Sequence, residues 1–294
     1  AVVTGASSGL GVETARSLAS AGAVVLMVAR NSAKLETAAA RVKADQPGAQ
    51  IDTALLDRAD LDSVRTGAAD ILTNCPQIGL LIKNAGVMAC PLSKTADGFE
   101  MQFGTNHVGH FLLTNLLVPL VKIGSDKRIV NLSSRGHFLG PVDFDDANYD
   151  KRDYAKWPAY GQSKTANIQF SVGLEKRLST QGIHSYAVHP GGIMTNLGRH
   201  MTQEDRDWMM QRVKENSGDG PGFKTIPQGA ATTCYAATAD ALQGKGGVYL
   251  EDCHVSEIDD ENPKEGVRSY ALDQGNAEKL WQLSEKLVGE SFAY

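Results

Sequence analysis

Cysteine is scarce. The 294 residues hold four, and Cys75, Cys90, Cys234 and Cys253 stand in no C-x-x-C or other metal-binding spacing. That argues against a disulfide scaffold or a cysteine zinc site and fits reduced, buried thiols. Positive charge is also in deficit, with 29 Lys and Arg against 34 Asp and Glu and a net charge of −5. No basic stripe appears, so nucleic acid is not an expected partner. No apolar run is long enough to cross a membrane. Signal-peptide patterns, low-complexity tracts and Pro/Gly-rich linkers are missing too. These absences give the expectation of a cytoplasmic protein, compatible with assembly as a homo-oligomer. Ala1-Val2-Val3 runs straight into a glycine loop, so the sequence reads as starting inside a strand. An upstream N-terminal membrane anchor is the alternative.

What is present is enough apolar material for a large core. Hydrophobic residues make up 42% and charged residues 21%. Short apolar runs alternate with longer amphipathic segments. Val2–Thr4, Ala23–Val28, Ile51–Leu56, Gly79–Ile82, Arg128–Leu132, Ile183–Val188 and Gly247–Leu250 read as strands. Leu10–Ala21, Ser32–Ala44, Asp60–Leu72, Phe99–Val121 and a segment running through Tyr160 to Leu178 read as helices, with Asp60 an N-cap. Alternating strands and helices predict a doubly wound α/β fold, with a seven-stranded parallel sheet flanked by helices. No linker splits residues 1–294, so one domain is expected. Residues 136–157 read as an insert rich in Asp, Gly and aromatics. Residues from about 195 to 224 read as a helical flap.

Three motifs carry the chemistry. Thr4-Gly5-Ala6-Ser7-Ser8-Gly9-Leu10-Gly11 follows a strand and opens a helix. Gly5 permits a tight turn, Gly9 lets backbone approach a pyrophosphate, and Gly11 lets the helix pack on the strand. Amides at the helix N-terminus then face the phosphates. Asn131-Leu132-Ser133-Ser134 ends the fifth strand, at the carboxyl edge where such sheets bind ligands. Tyr160-Gly-Gln-Ser-Lys164 sets a phenol and an ammonium one helical turn apart on one face. An ammonium near a phenol lowers the tyrosine pKa from its free value near ~10 and suits it to proton exchange.

In this order the motifs resemble the short-chain dehydrogenase/reductase family, over nearly the whole chain. The resemblance implies a Rossmann fold and hydride transfer between a nicotinamide cofactor and a carbonyl or alcohol. Ser134 matches the family's catalytic serine, with Ser133 as the alternative. Tyr160 matches the proton donor or acceptor, Lys164 the residue that lowers its pKa and binds the nicotinamide ribose, and Asn106 the asparagine that holds a water linking Lys164 to solvent. Ser7, Ser8 and Leu10 complete the glycine loop's cofactor set. Asn84, Ala85 and Gly86 match the family's Asn-Asn-Ala-Gly, but Lys83 departs from its first position. Pro190, Gly191, Ile193 and Thr195 match the loop that holds the nicotinamide amide. Asp57 is the adenine contact by resemblance, or else a cap for the next helix. The longer gap between Ser134 and Tyr160, with Asn106-His107-Val108-Gly109-His110-Phe111, resembles the retinol dehydrogenase-like branch, which works on apolar ketones, aldehydes and alcohols.

Cofactor choice turns on Arg30. Enzymes selecting NAD(H) place a carboxylate at the end of the second strand. This chain has Arg30 there, which suits the 2′-phosphate of NADP(H). Rival readings are a catalytically silent nicotinamide sensor and a sugar-nucleotide epimerase or dehydratase of related fold. A sensor need not keep Asn106, Ser134, Tyr160 and Lys164, and the glycine spacing argues against the epimerase. His107 and His110 form a possible metal pair but lack a third ligand. Cys253-His254 offers a thiol that hydride chemistry does not need. Tyr154 and Lys156 have the wrong spacing to replace Tyr160 and Lys164.

Overall fold

The computed structural model describes residues 1–217 and 222–294. Its strands are β1 (Val2–Thr4), β2 (Val25–Ala29), β3 (Ile51–Leu55), β4 (Leu80–Lys83), β5 (Arg128–Leu132), β6 (His184–His189), β7 (Val248–Glu251) and β8 (His254–Val255). They form one sheet in the order β3-β2-β1-β4-β5-β6-β7-β8. Every pairing is parallel except β7 with β8. The eighth strand was not expected from sequence. It is two residues long, and its turn places Asp252 and Cys253 at φ 47° and 61°.

The strand order reverses beside β1, whose neighbours are β2 and β4. A crevice opens outside the carboxyl ends of strands at such a reversal. The helices lie on both faces. They are α1 (Gly9–Ser20), α2 (Ser32–Asp45), α3 (Leu61–Asn74), α4 (Met101–Phe103), α5 (Gly109–Lys122), α6 (Lys156–Leu178), α7 (Gln203–Ser217), α8 (Ile226–Thr238), α9 (Ser269–Leu272) and α10 (Gln274–Val288). The expected helix over 99–121 is present, helical from Met101 to Lys122, but it is not α throughout. A π-helical turn, Gly104–Val108, joins α4 to α5 and holds Asn106 and His107. Such turns are rare and often stand at functional sites.

Successive strand residues face opposite layers. Leu81 and Ile129 join a core with Phe111, Phe170 and Trp281, under α3, α5, α6 and α10. Ile82 and Val130 join the other core with Val3, Leu18 and Leu35, under α1, α2 and α8. Each fully buried large apolar side chain contributes roughly 1.5–3 kcal/mol. The two cores hold the strand ends rigid, and the strand ends position the cleft.

Candidate active site

The glycine loop forms one wall of a cleft of about 1130 Å³. Gly5 and Gly9 have φ of 67° and 57°, which favours glycine. A Cβ on Gly5 would come within 2.7 Å of Ala85, and one on Gly11 within 2.4 Å of the Gly5 carbonyl oxygen. Gly11 therefore works behind the loop and does not line the cleft. Ser7, Ser8, Gly9 and Leu10 do line it. Thr4 ties the loop to its neighbours. Its Oγ1 accepts from the Ala85 amide at 3.2 Å and lies 3.0 Å from His110 Nε2. Asn84 Nδ2 donates to the Thr4 carbonyl at 2.9 Å. Asn84, Ala85 and Gly86 all border the cleft.

Beyond β2 and β3 the cleft wall is cationic. Arg30, Lys34, Arg58 and Arg199 line it there, and Asp57 is the sole carboxylate among the described lining residues. Arg30 pairs loosely with Asp57 at 3.7 Å. Burial pulls Arg58 down to about 10, against the opposing pull of Asp57. Asp57 does not cap the next helix. Its Oδ1 accepts from the Ala59 amide at 3.0 Å, while Asp60 accepts from Asp62 and Ser63. Sequence reasoning missed Arg58 and Arg199. Arg58 directly follows Asp57 and was within reach; Arg199 belongs to the flap, whose docking no local pattern reveals.

Ser134, Tyr160 and Lys164 meet at the carboxyl end of β5. Ser134 Oγ accepts from the Gly136 amide at 3.0 Å, which leaves its own hydrogen to be donated. The hydroxyl stands against the Tyr160 phenol. Gly136 makes this approach possible, since a Cβ there would lie 2.6 Å from the Tyr160 ring. Ser133 turns away and donates to the Lys164 carbonyl at 2.8 Å. Lys164 Nζ donates to the Leu132 carbonyl at 3.0 Å and lies 5.6 Å from the centre of the Tyr160 ring.

The electrostatics correct one expectation. Burial pushes Tyr160 up to about 12, opposed by the Ser134 hydrogen bond. Lys164 does not lower it here, because burial and then Arg58 pull Lys164 itself down to about 7. At Tyr160 desolvation is the largest effect. A phenol that stays protonated at neutral pH has a proton to give.

Asn106 lies buried beneath this group. Its Nδ2 donates to the Val87 carbonyl and to Ser163 Oγ, both at 2.9 Å, and its Oδ1 accepts from the Val87 amide at 2.8 Å. A Cβ on Gly86 would lie 3.3 Å from Asn106 Oδ1 and 3.6 Å from Lys164 Nζ, so both residues flank Gly86. His107 and His110 have protein partners: His107 Nε2 lies 2.7 Å from Ser284 Oγ. Tyr154 donates to the Cys90 carbonyl at 2.8 Å and is not among the lining residues. Cys253 sits on the β7–β8 turn, also outside the cleft.

Pro190, Gly191, Ile193 and Thr195 close the far wall. Gly191 has φ 96°, and a Cβ there would lie 2.7 Å from Lys224. The Lys224 amide donates to the Gly192 carbonyl at 2.8 Å, pinning the end of the flap on this loop. The flap, 195–224, includes residues 218–221, which lie outside the described residues. Its helix α7 places Trp208, Met209 and Val213 along the cleft. Trp157 and Trp208 lie 4.9 Å apart between ring centres. Of the insert over 136–157, only Gly136, Phe138, Leu139 and Trp157 reach the cleft. Its middle instead folds around Asp146, which accepts from the amides of Asp150, Lys151 and Arg152.

A family model described as short chain dehydrogenase matches residues 1–206. The chain belongs to that family. It is an oxidoreductase of the retinol dehydrogenase-like branch. Human retinol dehydrogenase 12 is 40% identical over 288 residues, covering 98% of this chain and 85% of the relative. The short-chain dehydrogenase/reductase prx1 of Penicillium roqueforti is 39% identical over 297 residues, covering 99% and 85%. Among solved structures, an uncharacterised protein from Mycobacterium paratuberculosis superposes with a TM-score of 0.74 at 36% identity, covering all of this chain and 94% of that one. A short chain dehydrogenase from Burkholderia cenocepacia in complex with NADP has a TM-score of 0.67 at 21% identity, over 85% and 94%. At that identity it supports the fold alone. Among the described residues no helix is long and apolar enough to cross a membrane.

Proposed function

We propose that this short-chain dehydrogenase uses NADP(H) to reduce the carbonyl of an apolar small molecule, of the retinoid-like kind that its relatives' names suggest, or to oxidise the matching alcohol. One observation carries the reading. Ser134, Tyr160 and Lys164 stand in the same cleft as the glycine loop, at the sheet's reversal point.

The residues present fit a dinucleotide phosphate. Gly5 makes the turn against Ala85 and Gly9 keeps the backbone bare beside it, the N-terminus of the 12-residue α1 faces it, and the cationic wall offsets its charge. When bound, the nicotinamide supplies or accepts the hydride. Arg30 takes the 2′-phosphate, and Arg58 and Arg199 add positive potential beside it. Asn84, Ala85 and Gly86 pack the ribose side, and Pro190, Gly191, Ile193 and Thr195 hold the nicotinamide amide. Ser134 turns its hydroxyl hydrogen from Tyr160 to the substrate carbonyl. Tyr160 delivers the proton to the same oxygen. Lys164 orients the ribose, and Asn106 fixes the backbone beside Gly86 so that Lys164 keeps its place. Trp157, Trp208, Met209 and Val213 exclude water from the reacting carbon.

The test is turnover of NADPH against a panel of bulky apolar aldehydes and small polar ketones, with Tyr160→Phe as control. General acid catalysis is worth ~10²–10⁴-fold, and the substitution should cost that much with cofactor affinity nearly intact. No turnover of any panel member, or a loss under tenfold in the variant, rejects this assignment.

A further inference from the structure

One of the ties between the catalytic serine loop and a distant part of the chain runs through an imidazole. His137 Nδ1 lies 2.8 Å from the Ser134 carbonyl oxygen, three residues back. A carbonyl can only accept, so Nδ1 carries the hydrogen. On the other side, the backbone amide of Arg268 donates to His137 Nε2 at 3.2 Å. An amide can only donate, so Nε2 is bare. The two partners fix one neutral tautomer, and a second proton would set N–H against N–H.

The surroundings hold the ring still. It is fully buried, with Phe138 at 4.7 Å and Tyr249 at 4.9 Å between ring centres. Burial pulls its pKa down to about 4, with Arg268 and Arg135 adding to the effect and the Ser134 bond opposing it. Tyr270 donates its hydroxyl hydrogen to the His137 carbonyl. Arg268 is itself clamped. Its guanidinium lies 3.7 Å from the centre of Phe138 and donates to the carbonyls of Asp259 and Asn262. Arg268 also lies beyond residues 1–206, the part that the family model covers.

We propose that His137 is a positioning residue for the reaction: it transmits the fixed backbone of Arg268 to the Ser134 carbonyl and so sets the angle at which the Ser134 hydroxyl meets substrate. The inference rests on the role of Ser134 proposed above. The rival is a buried histidine that only fills space. Small misplacements of a positioning group cost on the order of 10²-fold at most, so an effect near tenfold is expected from losing one link of a still-packed ring.

The test separates the ring's two bonds from its bulk. Arg268→Ala removes the stacking on Phe138 but keeps the amide that meets Nε2. His137→Phe keeps a buried aromatic ring and removes both ring bonds. Arg268→Ala should keep kcat within about twofold of the unmutated enzyme, whereas His137→Phe should lose about tenfold with an unchanged KM for cofactor. A kcat in His137→Phe equal to that of the unmutated enzyme overturns the proposal and leaves the histidine as a space filler. A spectroscopic arm needs no turnover, so it stands even if the oxidoreductase reading fails or a variant is too unstable to assay. In the ¹⁵N spectrum of the unmutated protein, His137 should keep a protonated Nδ1 and a bare Nε2 from about pH 5 to 8. Titration of that ring within the range, or the opposite tautomer, overturns it.

Discussion

Trp157 donates its indole N–H to Asp205 Oδ1 at 3.1 Å, joining the first turn of α6 to α7. Lys156 Nζ reaches the other oxygen of the same carboxylate at 2.6 Å, and the Thr202 amide and hydroxyl donate to it at 2.8 Å. One carboxylate therefore fastens the flap beside the Tyr160 helix. Against the opposing effect of burial, the bonds from Lys156 and Thr202 hold Asp205 down to about 2.

Asp205→Asn should loosen that fastening. Hydrogen bonds to a charged group are worth ~1.5–3 kcal/mol, so the melting temperature should drop by several degrees. The KM for an apolar substrate should rise about tenfold while kcat stays within about threefold. Because the folded pKa lies below the ordinary 3.8, this stability is present above pH 3.8 and lost as pH falls towards about 2. The variant should lack that acid-dependent portion. Unchanged melting and KM would mean that the flap is held by other contacts.

Lys83 carries a cost that the fold has absorbed. Its side chain is fully buried, and its Nζ lies 3.7 Å from the centre of Phe170 with no hydrogen-bond partner among the described residues. A cation over an aromatic ring gains ~0.5–2 kcal/mol, whereas an effective burial penalty is several kcal/mol per ion. Burial wins, and the lysine pKa falls well below 10.5. The unfolded chain then holds a proton that the folded chain releases, so stability rises with pH from the folded value up to 10.5 and the penalty is full at low pH. Lys83→Met keeps the volume and removes the amine. It should gain ~1–3 kcal/mol at neutral pH, with the gain fading as pH approaches 10.5, and leave kcat unchanged. Denaturation midpoints across pH decide it; a destabilised variant, or a gain flat with pH, contradicts the reading.

The Lys83 case shows where sequence stops being informative. The glycine loop, Ser134, Tyr160 and Lys164 could be picked out because each motif is local: the glycine loop and Ser134 follow strands that periodicity marks, and Tyr160 and Lys164 share one helix. Lys83 stood out as a departure, but its burial depends on Phe170, far along the chain. The Tyr160–Lys164 spacing was read correctly while its electrostatic consequence was not, because four-residue spacing reports proximity and says nothing of desolvation. α8 and α10 were not marked for a similar reason: their apolar faces make sense only against α1 and α6. Arg58, Arg199 and His137 reach their places through tertiary contacts.

Cofactor preference is the third expectation. Arg30→Asp puts a carboxylate where a 2′-phosphate is proposed to sit and also repels Asp57. Loss of one charge-assisted contact is worth ~1.5–3 kcal/mol, or roughly ten- to hundredfold in efficiency with NADPH. Arg58 and Arg199 remain, so some affinity for NADPH should survive, and efficiency with NADH should rise in relative terms. Steady-state kinetics with both cofactors give the answer. Equal efficiency in the unmutated enzyme would remove the basis for the NADP(H) assignment.

The last expectation concerns what the flap does above the reacting carbon. Met209 and Val213 lie four apart on α7, on one face, and line the cleft together with Met210, which is 50% exposed. Had this face merely fixed the flap to the body, it would be expected to pack into protein. The fastening is instead supplied by Asp205 with Lys156 and Trp157. That division leaves Met209 and Val213 free to cover an apolar substrate. Apolar contact contributes roughly 25 cal/mol per Å², so losing the Met209 surface over a bulky ligand should cost ~1 kcal/mol, about fivefold in kcat/KM. Met209→Ser should show that loss for bulky apolar carbonyls and almost none for small polar ketones, which cannot reach the residue. Its melting temperature should stay within about two degrees of the unmutated protein, since Met209 is only partly buried. A large melting loss with unchanged kcat/KM across the panel would reassign Met209 to holding the flap and discard the lid.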